Sequence, residues 1–163
     1  MKLENRLSLL IDSIKDDLVS LQGIRDKIFD LRGQLQSESK YAIKMALALT
    51  IHNFYNCIEN IFGSIAREFG NEIEGGMWHI DLLKSMKLER NGIRPAVIDQ
   101  EIYNFLNELR GFRHIVRHSY SYELDERRML LINDDIATHF DKLVEKINKF
   151  IDFINQEIKK LQA

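Results

Sequence analysis

From Leu3 onward the chain places Leu7, Leu10, Ile14, Leu18, Leu21, Ile24, Ile28, Leu31 and Leu35 at gaps of three and four. That is the period of one helical face, and Gly23 and Gly33 weaken it only slightly. The chain closes on the same pattern, with Ile136, Phe140, Leu143, Ile147, Phe150, Ile154, Ile158 and Leu161 in one stripe. A sheet of the same size would need period two and frequent turns. One proline and eight glycines in 163 residues supply few breakers, so the pattern specifies long helices.

Between these two stripes the organisation is legible in outline. Residues 3–36 form a first helix, and Ser37 or Ser39 is placed to cap the next. Residues 40–69 are apolar on nearly all sides and make the central, most buried helix, with Gly70 at its stop. The run GNEIEGG reads as a loop. Residues 78–88 give a short helix, and Pro95 closes a turn over residues 90–95. A fourth helix runs from about residue 97 towards His118, and residues 119–125 read as irregular. Residues 128–132 have the look of a strand with nothing to pair with. The last helix spans residues 133–162, with Asp134 and Asp135 at its N-terminus, where the helix dipole favours negative charge. The expectation is an all-α bundle of four long helices plus one short helix, with residues 1–163 in a single domain. Long striped helices in so small a protein also suggest a symmetric homodimer.

Composition excludes several classes. With 23 basic and 25 acidic residues the net charge is −2, which is neither a basic nucleic-acid coat nor a polybasic membrane binder. The single cysteine, Cys57, rules out an intrachain disulfide and any Cys-x-x-Cys metal site. The first residues, MKLENRLSLLIDSIKDD, interleave charge with leucine and isoleucine and hold no signal-peptide core. Apolar runs such as residues 45–49 fall far short of the ~18 residues of a membrane span. The protein is expected to be cytoplasmic and not membrane-bound.

The end of the fourth helix carries the chemistry. Phe105, Leu109, Phe112 and Val116 form a core-facing stripe. Beside it, Arg110, Arg113, His114, Arg117 and His118 repeat the spacing usually kept for apolar residues, yet every member is Arg or His. Between Arg110 and Tyr120 there is no acidic residue. A solvated basic face would use lysine freely and would have no reason to repeat histidine. Arginine grips phosphate through two parallel hydrogen bonds, and histidine moves a proton near neutral pH. Such a set makes a poor metal site and suits a phosphodiester. Residue types alone leave surface and site evenly weighted.

Arg113, four residues, His118, then Ser119 and Tyr120 spell R-x4-H-x-Y within FRHIVRHSY. This resembles the signature of the HEPN superfamily in its HepT-like toxin branch. The tracts ALALTIHNFYNCIENIF, WHIDLLKSM and RPAVI are similar to that branch too, so the resemblance spans residues 41–122. It implies the toxin of a type VII-like toxin–antitoxin pair, a metal-independent endoribonuclease cutting RNA, with tRNA favoured over mRNA. Arg113 and His118 would be catalytic. Arg113 would hold the scissile phosphate, while His118 would be the base on a ribose 2′-OH or the acid for the leaving 5′-oxygen. Arg110, His114 and Arg117 would bind substrate. In this branch a partner nucleotidyltransferase antitoxin of the MNT type attaches AMP to the tyrosine of H-x-Y, here Tyr120, and silences the toxin; Tyr122 is a near neighbour.

Geometry adds a constraint. Residues five apart lie about 140° apart around a straight helix, so Arg113 and His118 do not readily converge on one phosphate. Either the helix breaks near Arg117, or the site is shared across a dimer axis, as HEPN proteins share it.

Other candidates are weaker. His114 and His118 have no third ligand nearby, so neither metal nor cofactor is expected. His52 reads as a hydrogen-bonded core residue, His79 as structural, His139 as solvated, and Cys57 as an inert core thiol. Two other readings remain: a non-catalytic HEPN module that binds a nucleotide or a nucleotidyltransferase partner, and a plain dimeric helical scaffold.

Overall fold

The computed structural model describes residues 1–70, 77–118 and 124–162, with His118 represented by its helical backbone alone. Five helices follow in order: α1 (Leu3–Gly33), α2 (Lys40–Glu68), α3 (Trp78–Lys87), α4 (Gln100–His118) and α5 (Glu126–Gln162). Among the described residues there is no strand, only an isolated bridge between Arg90 and Arg94. The expected all-α bundle of four long helices and one short helix is therefore the observed fold. None of these helices is long and apolar enough to cross a membrane.

The bundle assembles on α2. α1 packs along its length, α4 lies against it, α3 bridges α2 and α4, and α5 closes the bundle against α1 and α4. The α1 stripe is buried as its spacing requires, with Ile14, Leu21 and Ile28 fully inaccessible. Phe54 of α2 is likewise inaccessible and sits with its ring 6.2 Å from that of Phe140 on α5. α2 is less enclosed than its composition suggests. Its first half exposes Tyr41, Met45 and Leu49, spaced four apart on one side.

Capping is partly as expected. Ser39 occupies the N-cap position of α2 but makes no side-chain cap hydrogen bond. Asp99 caps α4 by accepting from the Ile102 N–H at 2.9 Å. Burial alone would raise the Asp99 pKa. That N–H, together with Lys146 and Lys142, outweighs burial and holds it down to about 2. The turn before α4 is fastened by the buried Arg94, whose guanidinium donates to the carbonyls of Ser85, Leu88 and Pro95. Gly92 at its tip has φ +73°, a conformation glycine adopts without strain.

Two expectations about α5 are corrected. Residues 128–132 are helical, and α5 begins at Glu126, seven residues before the expected start at 133. Met129 and Ile132 are buried and extend the stripe of Ile136 and Phe140 at gaps of three and four, so burial favours helix throughout. Asp134 and Asp135 are thus interior to the helix. Asp125 caps it instead, accepting from the Arg127 N–H at 3.0 Å, while Asp134 pairs with Arg32 of α1.

Phe54→Ala should lower stability by about 3–5 kcal/mol, because a ring is removed where α2 meets α5. Urea unfolding measures this, and a loss below about 1 kcal/mol would mean that the α2–α5 contact is not tightly packed.

Candidate functional site

The basic strip lies at the C-terminal end of α4, against the middle of α2. Positions 52, 56 and 59 of α2 follow one another at gaps of four and three, so they share a face. That face meets α4. Arg113 donates from Nε to Asn56 Oδ1 at 2.8 Å, and the same Nε lies 3.8 Å from Glu59 Oε2. Arg113 is accordingly only 13% exposed. One turn further along α4, Arg117 acts electrostatically on His52, one turn back along α2. The two helices therefore run antiparallel at the strip.

Glu59 is the one buried carboxylate among the described residues. An ionised carboxylate can only accept, and burial obliges it to find donors. It accepts from His79 Nδ1 of α3 at 2.6 Å and from the Tyr55 hydroxyl one turn away on α2. Burial, the Glu59 charge and that hydrogen bond together push the Tyr55 phenol far above its ordinary range, against the opposing pull of Arg110 and Arg113. His79 thus has the structural role expected of it, hydrogen-bonded to the carboxylate that Arg113 faces.

The remaining strip residues are placed as follows. Arg110 is half-buried and donates to Asn107 Oδ1 at 3.1 Å on its own helix. His114 and Arg117 are exposed. α4 continues unbroken through His118. The backbone therefore does not leave the helix between Arg113 and His118. Ser119, Tyr120 and Tyr122 lie outside the described residues.

His52 is half-buried and not a satisfied core residue: its Nδ1 is buried without a hydrogen-bond partner. Burial first, then Arg113 and Arg117, lower its pKa. His139 is less solvated than expected. Its ring stacks on Phe105 with centroids 4.9 Å apart, and its Nδ1 donates to the Asp135 carbonyl. Cys57 is buried, its thiol pushed up to about 11 by burial and by Asp17, and it donates to the Asp17 carbonyl. Among the described residues no group of three or more His, Cys, Asp or Glu is arranged to hold a metal ion.

Asn56 and Glu59 were not singled out by spacing within α4, because they lie on another helix. The available signal was two polar residues inside the apolar run of α2, on the same face as His52.

The family model described as HepT-like protein matches residues 46–154, which holds α3, α4, most of α2 and most of α5. The chain belongs to the HepT-like family of the HEPN superfamily. No curated protein and no solved structure shows a significant match. The matched span contains every residue of the strip and its three partners on α2, so the family assignment and the geometry concern the same part of this HepT-like chain.

Glu59→Ala should cost about 3–5 kcal/mol, since it leaves His79, Tyr55 and Arg113 facing an empty carboxylate site. Glu59→Gln, which keeps the shape and an acceptor, should cost less; equal losses in urea unfolding would argue against the buried charge. The native state also holds the Tyr55 proton above pH ~10, where an unfolded tyrosine releases it. Stability should therefore fall as pH rises past that value, and Tyr55→Phe should reduce the slope.

Proposed function

We propose that this HepT-like chain is the toxin of a type VII-like toxin–antitoxin pair, a metal-independent endoribonuclease that cuts RNA, with tRNA the favoured substrate. The observation that carries the reading is Arg113 held by Asn56 and facing Glu59, at the root of a strip whose outer members, His114 and Arg117, are exposed. A structural arginine would be expected to end in its ion pair. Here the pair anchors a guanidinium at the edge of a cluster that holds no acidic residue from Arg110 through His118.

In this reading Arg113 holds the scissile phosphate and stabilises the charge that develops in the pentavalent transition state. His118 is the proton-transferring residue, as base on the 2′-OH or as acid for the leaving 5′-oxygen. Arg110, His114 and Arg117 bind the flanking backbone as cationic or hydrogen-bonding groups. The 2′-OH as nucleophile restricts the reaction to RNA and leaves a 2′,3′-cyclic phosphate. A nucleotidyltransferase antitoxin of the MNT type adds AMP to Tyr120. The added phosphate competes for the arginines, and the nucleotide fills the cleft.

The active species is a homodimer with a composite site. The unbroken α4 supports this, because residues 113 and 118 stay on different sides of one helix. So does the exposed side of α2. Tyr41, Met45 and Leu49 are 54%, 38% and 55% exposed, and Ile115 on α4 adds 38%. An apolar patch of this kind beside a charged strip suits the self-complementary contact of a two-fold dimer.

Purified protein incubated with total tRNA and EDTA should cut it, and His118→Ala should not. Mixing Arg113→Ala with His118→Ala under subunit exchange should restore part of the activity if the two residues of one site come from different copies. If the parent is inactive and its mass shows AMP units, it is a silenced toxin. An unmodified, inactive parent would support a non-catalytic module that binds a nucleotide or its nucleotidyltransferase partner.

A further inference from the structure

Around Arg113 the site holds three titratable side chains from α2: Glu59, Tyr55 and His52. Two of them are committed. Glu59 is buried and takes hydrogen bonds from Tyr55 and His79. Tyr55 is buried, and its hydroxyl is spent on Glu59. His52 differs on both counts. It is half-buried, so part of the side chain reaches solvent, and its Nδ1 has no partner. A buried ring nitrogen without a partner is a standing cost in a folded protein, so no core hydrogen bond accounts for a histidine here, and the rest of the ring is what reaches solvent.

Its position along α2 offers another account. Asn56, one turn away on the same face, holds Arg113, and the charges of Arg113 and Arg117 act on His52. A phosphodiester gripped by those guanidiniums brings the adjoining ribose to the same turn of α2. We infer that His52 is the base that takes the 2′-hydroxyl proton, and that His118 is the acid that protonates the departing 5′-oxygen. This rests on the ribonuclease reading above and divides between two histidines the roles left open there.

The step balances. The 2′-OH proton passes to the His52 imidazole while the 2′-oxygen forms its bond to phosphorus. The bond from phosphorus to the 5′-oxygen breaks, and that oxygen takes a proton from the His118 imidazolium. The products are a 2′,3′-cyclic phosphate and a 5′-hydroxyl. His52 ends protonated and His118 neutral, and exchange with water resets both.

The charges favour this division. A base beside a phosphate works best uncharged before the reaction, and a neutral imidazole offers one lone pair. The charged groups that act on His52 from a packed element are Arg113 and Arg117, both on α4. With burial they lower its pKa below the ordinary 6.5, so the neutral ring prevails at neutral pH. On its own helix the nearest acid on that face is Glu59, seven residues on and already engaged. The imidazolium formed as the reaction proceeds is balanced by charge accumulating on the phosphoryl oxygens.

The test uses the full-length, unmodified protein. Single-turnover cleavage is followed on a short oligoribonucleotide spanning a cut site first mapped in total tRNA. A second oligonucleotide carries sulfur in place of the scissile 5′-oxygen, a leaving group that needs no acid. Against the oxygen substrate, His52→Ala and His52→Gln should each be slowed about 100-fold or more, the usual worth of a positioned base. The rise in parent rate with pH below 6.5 should flatten in both variants. Sulfur should restore His118→Ala by at least tenfold and leave the His52 variants slow. Thermal melting of His52→Gln separates misfolding from lost chemistry. Variants within threefold of the parent, or rescue of the His52 variants by sulfur, would overturn the assignment while leaving the ribonuclease reading intact. A parent of unmodified mass that cuts no RNA would remove both.

Discussion

Glu59 is the constraint on which the rest of the site depends. A carboxylate at 6% exposure is tolerable only if donors surround it, and here they arrive from three helices: Tyr55 on α2, His79 on α3 and, at longer range, Arg113 on α4. The same atoms that satisfy Glu59 therefore fix how α3 and α4 sit on α2. They also fix Arg113. A guanidinium gripped through Nε still carries two terminal nitrogens in the same plane, whereas an ammonium has one nitrogen for every contact. Asn56 and Glu59 thus specify arginine and not merely a positive charge.

α4 is electrostatically divided along its length. Its start carries Asp99 and Glu101, the former paired with Lys142 and Lys146 of α5. Its end carries Arg110, Arg113 and Arg117 with two histidines. Both halves follow the helix dipole, which favours anions at the N-terminus and cations at the C-terminus. A phosphate brought to the C-terminal end, however, meets the negative pole. If the strip takes a phosphate as proposed, the three arginines within eight residues of this chain of net charge −2 have that field to overcome as well.

Much of this was legible in the sequence, and the reason is periodicity. The stripes of α1, α4 and α5 need only local spacing, and the boundaries of α1, α2 and α3 agree with the expected ones within about three residues. The start of α5 was misplaced because Asp134 and Asp135 look like a dipole-favoured N-terminus. The competing fact, that Met129 and Ile132 continue the buried stripe, lies just upstream. The candidate site was legible only along α4, where Arg113 and His118 stand in one motif. Asn56, Glu59 and His52 reach Arg113 across a tertiary contact, and no spacing within one helix reveals which residue of α2 will oppose it. His52 was misread for the same reason: in a largely apolar helix a histidine looks enclosed, but its Nδ1 has no partner there, and the charges of Arg113 and Arg117 act on it.

The apolar side of α2 and the straightness of α4 bear on one question from independent directions. A helix that ran only to Arg117 and then turned could close a site within one copy and would leave no reason for Tyr41, Met45 and Leu49 to stay exposed. The unbroken helix keeps residues 113 and 118 apart by about 140°. The exposed stripe ends at Leu49, three residues before His52. A second copy seated on that stripe would bring its own α4 end to the gap that the first copy leaves. The net acidic chain would then concentrate two basic strips in one cleft, which neither copy has alone. Enclosure by the second copy would also exclude water from around His52 and Arg113. The field of the guanidiniums would act there at lower effective dielectric, where it is strongest.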